Sequence, residues 1–217
     1  MDGVHDMGGM HGFGPIPYEA NQEPFHDEWE RRVWGLMFAT TQPEDGTLDG
    51  VRHNLENMPP HLYLSYEYYE RWLYHLTTTV IASGVVTLEE VLSGSAAPDA
   101  RARTDAAGPE SVDPYVVTPY QREIDDPPKF AIGDKVRTSN LHPRGHTRLP
   151  RYARDKIGEI SLHHGAHVLP DTNAHGHGEC PTHLYCVTFT AQELWGPQAD
   201  ARDSAALDVW ECHLEPA

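Results

Sequence analysis

The sequence predicts an α+β protein in which an extended N-terminal arm and a helical N-terminal half precede a small antiparallel β-barrel. Three observations favour this class. Apolar residues recur at helical spacing between residues 24 and 83. A stretch rich in Ser, Ala, Pro and Asp covers 93–126, and short strand-like segments separated by Gly, Pro and Asn follow it. The predicted domains are therefore 1–92 (arm and helices), 93–126 (linker) and 127–217 (barrel).

The arm covers residues 1–23 and is punctuated by glycine and proline, which disfavour regular structure. Apolar residues are nevertheless scattered through it: Val4, Met7, Met10, Phe13, Ile16 and Tyr18. Apolar side chains on an irregular segment need a surface that buries them, so we expect the arm to lie over another subunit. The alternative is a floppy chain terminus.

Three helices are predicted by apolar residues that recur every three or four positions. They cover 24–40, 47–58 and 66–83. Pro59 and Pro60 stop the second helix, and Gly84 ends the third as a C-cap. Thr87 followed by Glu90 is a capping box, which predicts a short fourth helix.

Short strands are predicted after the linker. Each is bounded by Gly, Pro or Asn and is rich in apolar or β-branched residues, as is typical of antiparallel sheets. The predicted strands are 135–138, 157–163, 184–190 and 207–214. Several short strands in so little chain predict a small barrel.

The charge excludes some classes of function. The 217 residues include 16 basic and 33 acidic side chains, a net charge of −17, and so acidic a chain lacks the cations that replace counterions on nucleic acids. No apolar run reaches the roughly 20 residues that span a bilayer, and the polar start has no signal-peptide pattern. We expect a cytoplasmic protein that binds neither nucleic acid nor membrane. Its hydrophobic content of 39% is low, which favours dependence on a partner chain.

Histidine is abundant between residues 163 and 183, and imidazole is a common metal ligand. The six histidines there are His163, His164, His167, His175, His177 and His183. No closed ligand set with a standard zinc spacing accompanies them, and such spacings arise by chance in a chain with 15 histidines. The preferred interpretation is that this chain binds no metal. It also lacks a CxxC pair, a nucleophile elbow, a phosphate loop and a dinucleotide motif.

Three features invite a functional interpretation. Arg52 adjoins the apolar stripe of its helix, and the segment 144–156 contains five basic residues. The planar fork of an arginine binds anions well, although a solvated helix edge and local charge compensation are simpler explanations. Tyr68 and Trp72 share a helix face and could hold a ligand, but core aromatic residues with satisfied hydroxyls are commoner.

Five blocks of the sequence resemble the β subunit of nitrile hydratase, in family order and from end to end. They are MDGVHDMGGMHGFGP at 1–15, EWE at 28–30 with Tyr68 and Tyr69 before Trp72, GHTRLPRYARDKIGEI at 145–160, HHGAHVLPDTNAHGHGECPTHLYCVTFTAQELWGP at 163–197, and VWECHLEPA at 209–217. The resemblance implies an αβ heterodimer, often paired as α2β2, that hydrates small nitriles to amides. It also implies that the C-terminal barrel is SH3-like.

The resemblance places the metal, non-corrin cobalt(III) or non-haem iron(III), in a cysteine claw of the α subunit. Two of the claw cysteines are oxidised, to sulfinic and sulfenic acids. The claw motif is missing from this chain, so we expect it to bind no cofactor itself. PDTNAHGHGE at 170–179 and TAQELWG at 190–196 look more like the cobalt branch, whereas WGLMFA at 34–39 looks more like the iron branch. Cobalt is preferred.

The resemblance also implies roles for single residues. Arg52 and Arg148 match the two family arginines that donate hydrogen bonds to the oxidised cysteine oxygens of α. Tyr68 matches a tyrosine near the metal, which orients the attacking water or the substrate, or assists proton transfer. The positions that line the nitrile pocket are Met37, Leu48, Val51, Tyr69 and Trp72. Val51 stands where relatives often have an aromatic residue, which implies a wider pocket.

Two other functions stay open at this point. The chain could be a non-catalytic scaffold whose barrel is only an interaction module. It could also be a relative of thiocyanate hydrolase, in which the equivalent of this chain is split into two polypeptides. The unbroken join through 93–126 argues against the second.

Overall fold

The computed structural model describes residues 1–18, 23–40, 47–100 and 120–217, apart from the side chains of Phe38 and Thr40. The chain divides into two compact units, each described by itself: a helical unit, Gly14–Val117, and a sheet unit, Met1–Phe13 with Thr118–Ala217. Among the described residues, no helix combines the length and the apolar character needed to cross a membrane.

In its described residues, the helical unit contains three helices that the apolar spacing predicted and two shorter ones. They are α1 Glu28–Thr40, α2 Leu48–Glu56, α3 Pro60–Ser65, α4 Tyr68–Ala82 and α5 Leu88–Ser93. The predicted capping box of α5 is confirmed: the Thr87 hydroxyl accepts from the backbone N–H of Glu90, and the Thr87 N–H donates to the Glu90 carboxylate. Glu67 and Glu70 form a second capping box at the start of α4.

The helix α3 was not predicted, because the two prolines were interpreted only as a stop. Helix α2 does end before them, at Glu56, but Pro60 is the first residue of α3. Proline is favoured there because its fixed φ suits a helix and its missing N–H would have no intrahelical partner. Ser83 is the C-cap of α4, and the predicted Gly84 follows it with a left-handed φ of +73°.

Helix α4 organises the helical unit, because α1 and α2 both pack against it. Among the described residues of this unit, the buried apolar side chains are Val33, Met37, Met58 and Leu76. This packing fixes the two helices on which Arg52 and Tyr68 lie.

The sheet unit contains six strands. They are β1 Gln121–Arg122, β2 Lys135–Thr138, β3 Ile157–His167, β4 Thr182–Thr190, β5 Ser204–Trp210 and β6 Leu214–Pro216. Two short helices, α6 Pro170–Asn173 and α7 Ala191–Trp195, flank β4. The strand β1 lies within the segment predicted as linker, of which residues 101–119 are outside the described part of the chain.

The predicted last strand, 207–214, was wrong as a single element. A 3-10 helix, Glu211–His213, separates β5 from β6. The interruption lets two polar side chains turn inward. Glu211 accepts a 2.8 Å hydrogen bond from the Tyr185 hydroxyl, and His213 lies 3.2 Å from Asp171.

All neighbouring strands are antiparallel, in the order β5-β4-β3-β2-β6, with β1 also paired to β3. The core of this unit is formed by Val136, Leu149, Ala153, Ile160, Tyr185, Val187, Phe189, Leu194 and Val209. Within the described residues β5 and β6 do not pair with each other, so the sheet is not closed. The structure therefore supports an antiparallel sheet where a barrel was predicted.

The first residues of the arm pack on the sheet unit of the same chain, which the sequence did not predict. The Asp2 carboxylate pairs with the Arg154 guanidinium, and the Asp6 carboxylate accepts from the Arg151 backbone N–H at 2.7 Å. Gly8 lies against the ring of Tyr152, where a Cβ would overlap it. Met10 and Phe13, further along the arm, are exposed. For them, burial against another subunit stays a prediction.

The buried pair of Asp171 and His213 makes the stability of the sheet unit depend on pH. Burial opposes protonation of His213, but the hydrogen bond and charge of Asp171, with Cys212, outweigh it and raise the pKa of His213 to about 9. Burial likewise opposes ionisation of Asp171, yet the hydrogen bond and charge of His213, with Thr147, lower the pKa of this carboxyl. The aspartate therefore contributes stability above its unfolded pKa of 3.8.

We expect the free energy of unfolding to fall as pH rises from about 6.5 to 9. The contribution of His213 is complete below its unfolded pKa of 6.5 and is lost as pH rises through its folded pKa, with a magnitude on the order of 3 kcal/mol. Urea titrations of the wild-type chain at several pH values measure the slope. In the Asp171→Asn variant the slope over this range should largely vanish, and equal slopes would contradict the prediction.

Candidate functional site

Arg52 lies in the middle of α2, a helix whose first turn is fixed by a side-chain cap. The Thr47 hydroxyl accepts from the Gly50 N–H at 3.1 Å. One turn before the arginine, Asp49 is fully buried, and its Oδ1 accepts from Nη1 of Arg52 at 2.8 Å. The Arg52 side chain itself is 40% exposed. Asp49 therefore accepts from one nitrogen of the guanidinium, and the other N–H donors of Arg52 are available to a second partner.

Tyr68 is the first residue of α4, and its side chain is 59% exposed. Its ring centroid lies 5.1 Å from that of Tyr69 and 5.7 Å from that of Trp72. Within the described part of the chain, the Tyr68 hydroxyl makes no hydrogen bond. Tyr68 thus lacks the burial and the satisfied hydroxyl of a core aromatic residue.

Tyr68 belongs to an aromatic cluster formed by α1, α4 and the residues before α1. Its members are Phe25, Trp34, Tyr68, Tyr69 and Trp72. The Tyr69 hydroxyl donates to the carbonyl of Pro24 at 3.3 Å, and burial, followed by the charges of Tyr68 and Glu30, raises its pKa. The hydroxyl of Tyr69 therefore has a structural partner, in contrast to that of Tyr68. Sequence reasoning missed Phe25 and Trp34, because the two lie on or before a different helix.

The other three predicted pocket positions differ in exposure. Met37 of α1 is buried, Leu48 at the start of α2 is exposed, and Val51 is half-buried. Leu48 and Val51 are one turn apart and therefore share a side of α2 next to Arg52. The structure brings all five predicted pocket positions, with Arg52 and Tyr68, into the helical unit.

Arg148 belongs to the sheet unit, in the loop that connects β2 to the 3-10 helix Arg151–Ala153. Its side chain is exposed, and among the described residues it forms neither a hydrogen bond nor an ion pair. Arg154 of the same basic segment is buried and binds Asp2. Arg151 is exposed; its backbone N–H donates to the Asp6 carboxylate, and its Nη2 donates to the Asp6 carbonyl at 3.4 Å. Of these three arginines, Arg148 is the one that makes no hydrogen bond to another described residue.

The histidines of the 163–183 segment take part in hydrogen bonds within the sheet unit. His163 and His183 are 3.1 Å apart, and Nε2 of His183 lies 2.8 Å from the carbonyl of Asp126. Because a carbonyl only accepts, Nε2 of His183 carries a proton and its Nδ1 accepts from His163. Burial, with His183, lowers the pKa of His163, which favours this neutral pair. His164 lies 2.9 Å from Asp208. These contacts give His163, His164 and His183 structural roles.

The cysteines lie in three separate places of the sheet unit. All three are free: Cys180 and Cys212 are exposed, and Cys186 is half-buried in β4. Each is therefore a single thiol, as the sequence indicated.

Comparison with known proteins identifies the family of the chain. The family models described as the N-terminal and C-terminal parts of the nitrile hydratase beta subunit match residues 1–115 and 119–216. The chain belongs to the nitrile hydratase β-subunit family. The predicted resemblance is thereby confirmed, and it extends over both units.

Relatives of known name support the same assignment. The chain is 42% identical to a nitrile hydratase subunit beta of Pseudomonas putida over the full length of both proteins. It is 41% identical to a cobalt-containing nitrile hydratase subunit beta of Pseudonocardia thermophila, over 99% of this chain and 96% of that protein. A thiocyanate hydrolase subunit alpha of Thiobacillus thioparus is 30% identical, over 41% of this chain and 72% of that protein. The nitrile hydratase relatives therefore match the whole chain, and the thiocyanate hydrolase matches a part.

Proposed function

We propose that this chain is the β subunit of a heteromeric nitrile hydratase, which hydrates nitriles to amides at a metal carried by an α subunit. The observation that carries the proposal is the family match through both units, from residue 1 to 216. The relative that is named as cobalt-containing supports cobalt(III) over iron(III). The metal, when bound to α, would act as a Lewis acid toward the nitrile.

Arg52 and Arg148 are the residues of this chain that would hold the oxidised cysteines of α. Sulfinate and sulfenate oxygens are anionic, and a guanidinium donates to such groups through two parallel N–H bonds. The exposed side chain of Arg148 and the donors of Arg52 that point away from Asp49 support this role. Both arginines would thus fix the geometry of anionic groups beside the reacting nitrile.

The aromatic cluster and the neighbouring apolar residues would form one wall of the nitrile pocket. The wall consists of Met37, Leu48, Val51, Tyr69 and Trp72. Tyr68 projects from this wall with an exposed ring, so its hydroxyl would orient the attacking water or the substrate. Val51 is aliphatic, which would leave the pocket wider than an aromatic residue would.

The arrangement of the complex follows from the same proposal. A β subunit implies an α partner, and we propose αβ or α2β2 assemblies in the cytoplasm. The sheet would form an SH3-like barrel: its two outermost strands, β5 and β6, are consecutive and are joined by only a three-residue 3-10 helix. So short a connection brings the two ends of the sheet order close together, as in a partly open barrel.

Co-expression with a candidate α subunit tests the proposed function. The purified complex is assayed for amide formation from small aliphatic and aromatic nitriles, and its metal content is determined. We expect activity from the complex and none from the β chain alone. If the complex forms and produces no amide, the chain is a non-catalytic interaction subunit and the proposal is wrong.

Tyr68→Phe is expected to lower the turnover number of the complex about tenfold or more, with the fold intact. The change removes only a hydroxyl that has no partner in the described part of this chain, so little stability depends on it, whereas positioned proton donors and acceptors accelerate reactions considerably. Steady-state kinetics and thermal unfolding measure both effects. Tyr74→Phe, on the same helix but outside the aromatic cluster, is the matched control. Unchanged kinetics in Tyr68→Phe would return this tyrosine to a packing role.

A further inference from the structure

The loop that carries Arg148 rests against the imidazole of His175, a residue with no assigned role. Nε2 of His175 accepts a 3.0 Å hydrogen bond from the backbone N–H of His146. The contact is close enough that a Cβ on Gly145 would lie 2.5 Å from the same nitrogen. The backbone of the loop can approach the ring because residue 145 has no side chain. One imidazole therefore fixes the loop two residues before Arg148.

His175 is itself held in place by the turn that follows α6. Pro170 opens that helix, and the Ala174 N–H donates to the Pro170 carbonyl at 3.0 Å. The His175 N–H then donates to the Thr172 carbonyl at 3.1 Å, and Gly176 continues the turn with a left-handed φ of +67°. The acceptor nitrogen therefore projects from an ordered turn rather than from an unsupported loop.

Two more contacts hold the residues on either side of Arg148. The side chain of Asp171, also from α6, interacts with the Thr147 hydroxyl and with His213. The buried guanidinium of Arg154 donates to the Leu149 carbonyl through Nε, at 3.3 Å, and through Nη2, at 3.2 Å. Residues 146, 147 and 149 are thus anchored, while the side chain of Arg148 between them is exposed.

We propose that His175 is a positioning residue for Arg148, which it presents to the α subunit by fixing the backbone of the arginine loop. The proposal rests on the proposed contact of Arg148 with an anionic group of α. A guanidinium forms two parallel hydrogen bonds to a carboxylate-like group only when the two groups are coplanar. A loop backbone that is ordered before binding loses less conformational entropy when the arginine reaches this geometry. The Nε2 acceptor is the part of His175 that this role requires.

The first measurement is amide hydrogen exchange of the full chain, because it does not depend on activity. In His175→Ala the exchange of the His146 amide should accelerate about tenfold or more, while amides of β4 keep wild-type protection. His175→Gln, whose Oε1 can accept the same hydrogen bond, should restore part of the protection. His177→Ala is the matched control, since His177 is exposed two residues further along. Wild-type exchange of His146 in His175→Ala would overturn the proposal.

The second measurement is a double-mutant cycle with Arg148 in the αβ complex. His175→Ala should weaken kcat/KM and the affinity for α about tenfold, and it should have little further effect once Arg148→Ala is present, because it acts through that residue. Fully additive effects would overturn the proposal. If the wild-type complex hydrates no nitrile, the proposed function fails, and the same cycle on the dissociation constant of the αβ complex still decides the role of His175.

Discussion

Arg52→Lys is expected to lower the turnover number of the αβ complex by about 100-fold or more. Lysine keeps the positive charge and can still satisfy the buried carboxylate of Asp49, so the helical unit should keep its fold. It loses the planar fork, which binds an anion through two parallel donors. Loss of one positioned donor beside developing charge typically costs about 100- to 1000-fold in turnover. Steady-state kinetics of the metal-loaded complex measure the effect.

The choice of lysine separates function from folding at this site. Arg52→Met would remove the guanidinium that pairs with the buried carboxylate of Asp49, and breaking a buried ion pair destabilises a protein strongly. Arg32→Lys is the matched control, because Arg32 is exposed on α1 and belongs to no proposed contact. Thermal unfolding and the affinity for α should be close to wild type in the control. Wild-type turnover in Arg52→Lys would remove Arg52 from the proposed site.

The parts of the fold that sequence reasoning predicted are those that depend on local pattern. Apolar residues at helical spacing predicted α1, α2 and α4, and the capping box predicted α5, because a helix buries one face and its first turn needs polar partners. The division of the last strand could not be predicted. Alternation continues through VWECHL, and the distant partners Tyr185, Lys129 and Asp171 explain why Glu211 and His213 turn inward.

The basic segment illustrates the same limit at the site. Composition alone does not distinguish Arg148 from Arg151 and Arg154, since all three follow one another on a single loop. The structure distinguishes them by Asp2 and Asp6, which lie about 150 positions earlier in the chain. Asp2 pairs with the guanidinium of Arg154, and Asp6 contacts the backbone N–H and Nη2 of Arg151. Contacts between such distant residues leave no periodic signal in the sequence. The role proposed for Arg148 rests on the resemblance, and its exposed side chain fits that proposal.

The same contacts give the N-terminal arm a role within its own chain. The sequence suggested that its glycines mark an irregular segment, and the rings of Tyr152 and Trp195 explain two of them, because Gly8 and Gly9 lie where a Cβ would overlap a ring. The arm thereby brings Asp2 to Arg154, which in turn binds the Leu149 carbonyl. The first residues of the chain are thus connected to the loop that carries Arg148.

Arg154→Ala is expected to destabilise the sheet unit by about 3 kcal/mol, the lower part of the range for removing one partner of a buried ion pair. The Arg154 side chain is 2% exposed, whereas Asp2 is 35% exposed, so water offsets part of the loss on the aspartate side. The Leu149 carbonyl also loses two donors, and the removed side chain leaves a cavity.

A second arginine of the same unit is the matched control for Arg154. Arg202 binds Asp200 through Nη2 at 2.6 Å and Nε at 3.0 Å, but its side chain is 87% exposed. Exposed pairs contribute about 0–1 kcal/mol, since water screens the charges and both side chains lose freedom. Arg202→Ala should therefore change the free energy of unfolding little, although the hydrogen bonds from Arg202 to Asp200 are short. Equal destabilisation of the two variants in urea titrations would contradict the idea that burial decides the strength of these pairs.

Urea titrations at acidic pH test the contact between Asp2 and Arg154 independently. Hydrogen bonds from His142 and then from Arg154 lower the pKa of Asp2 from 3.8 to about 2. A carboxyl with a lowered pKa contributes stability above its unfolded value, and this contribution is lost as pH falls from about 4 to 2. Removing Arg154 weakens the cause of the shift, so the pH dependence of Arg154→Ala in this range should be shallower than that of the wild type. If the wild type and Arg154→Ala lose stability in parallel as pH falls, the pKa of Asp2 does not depend on Arg154. The arm is then held to the sheet by its other contacts.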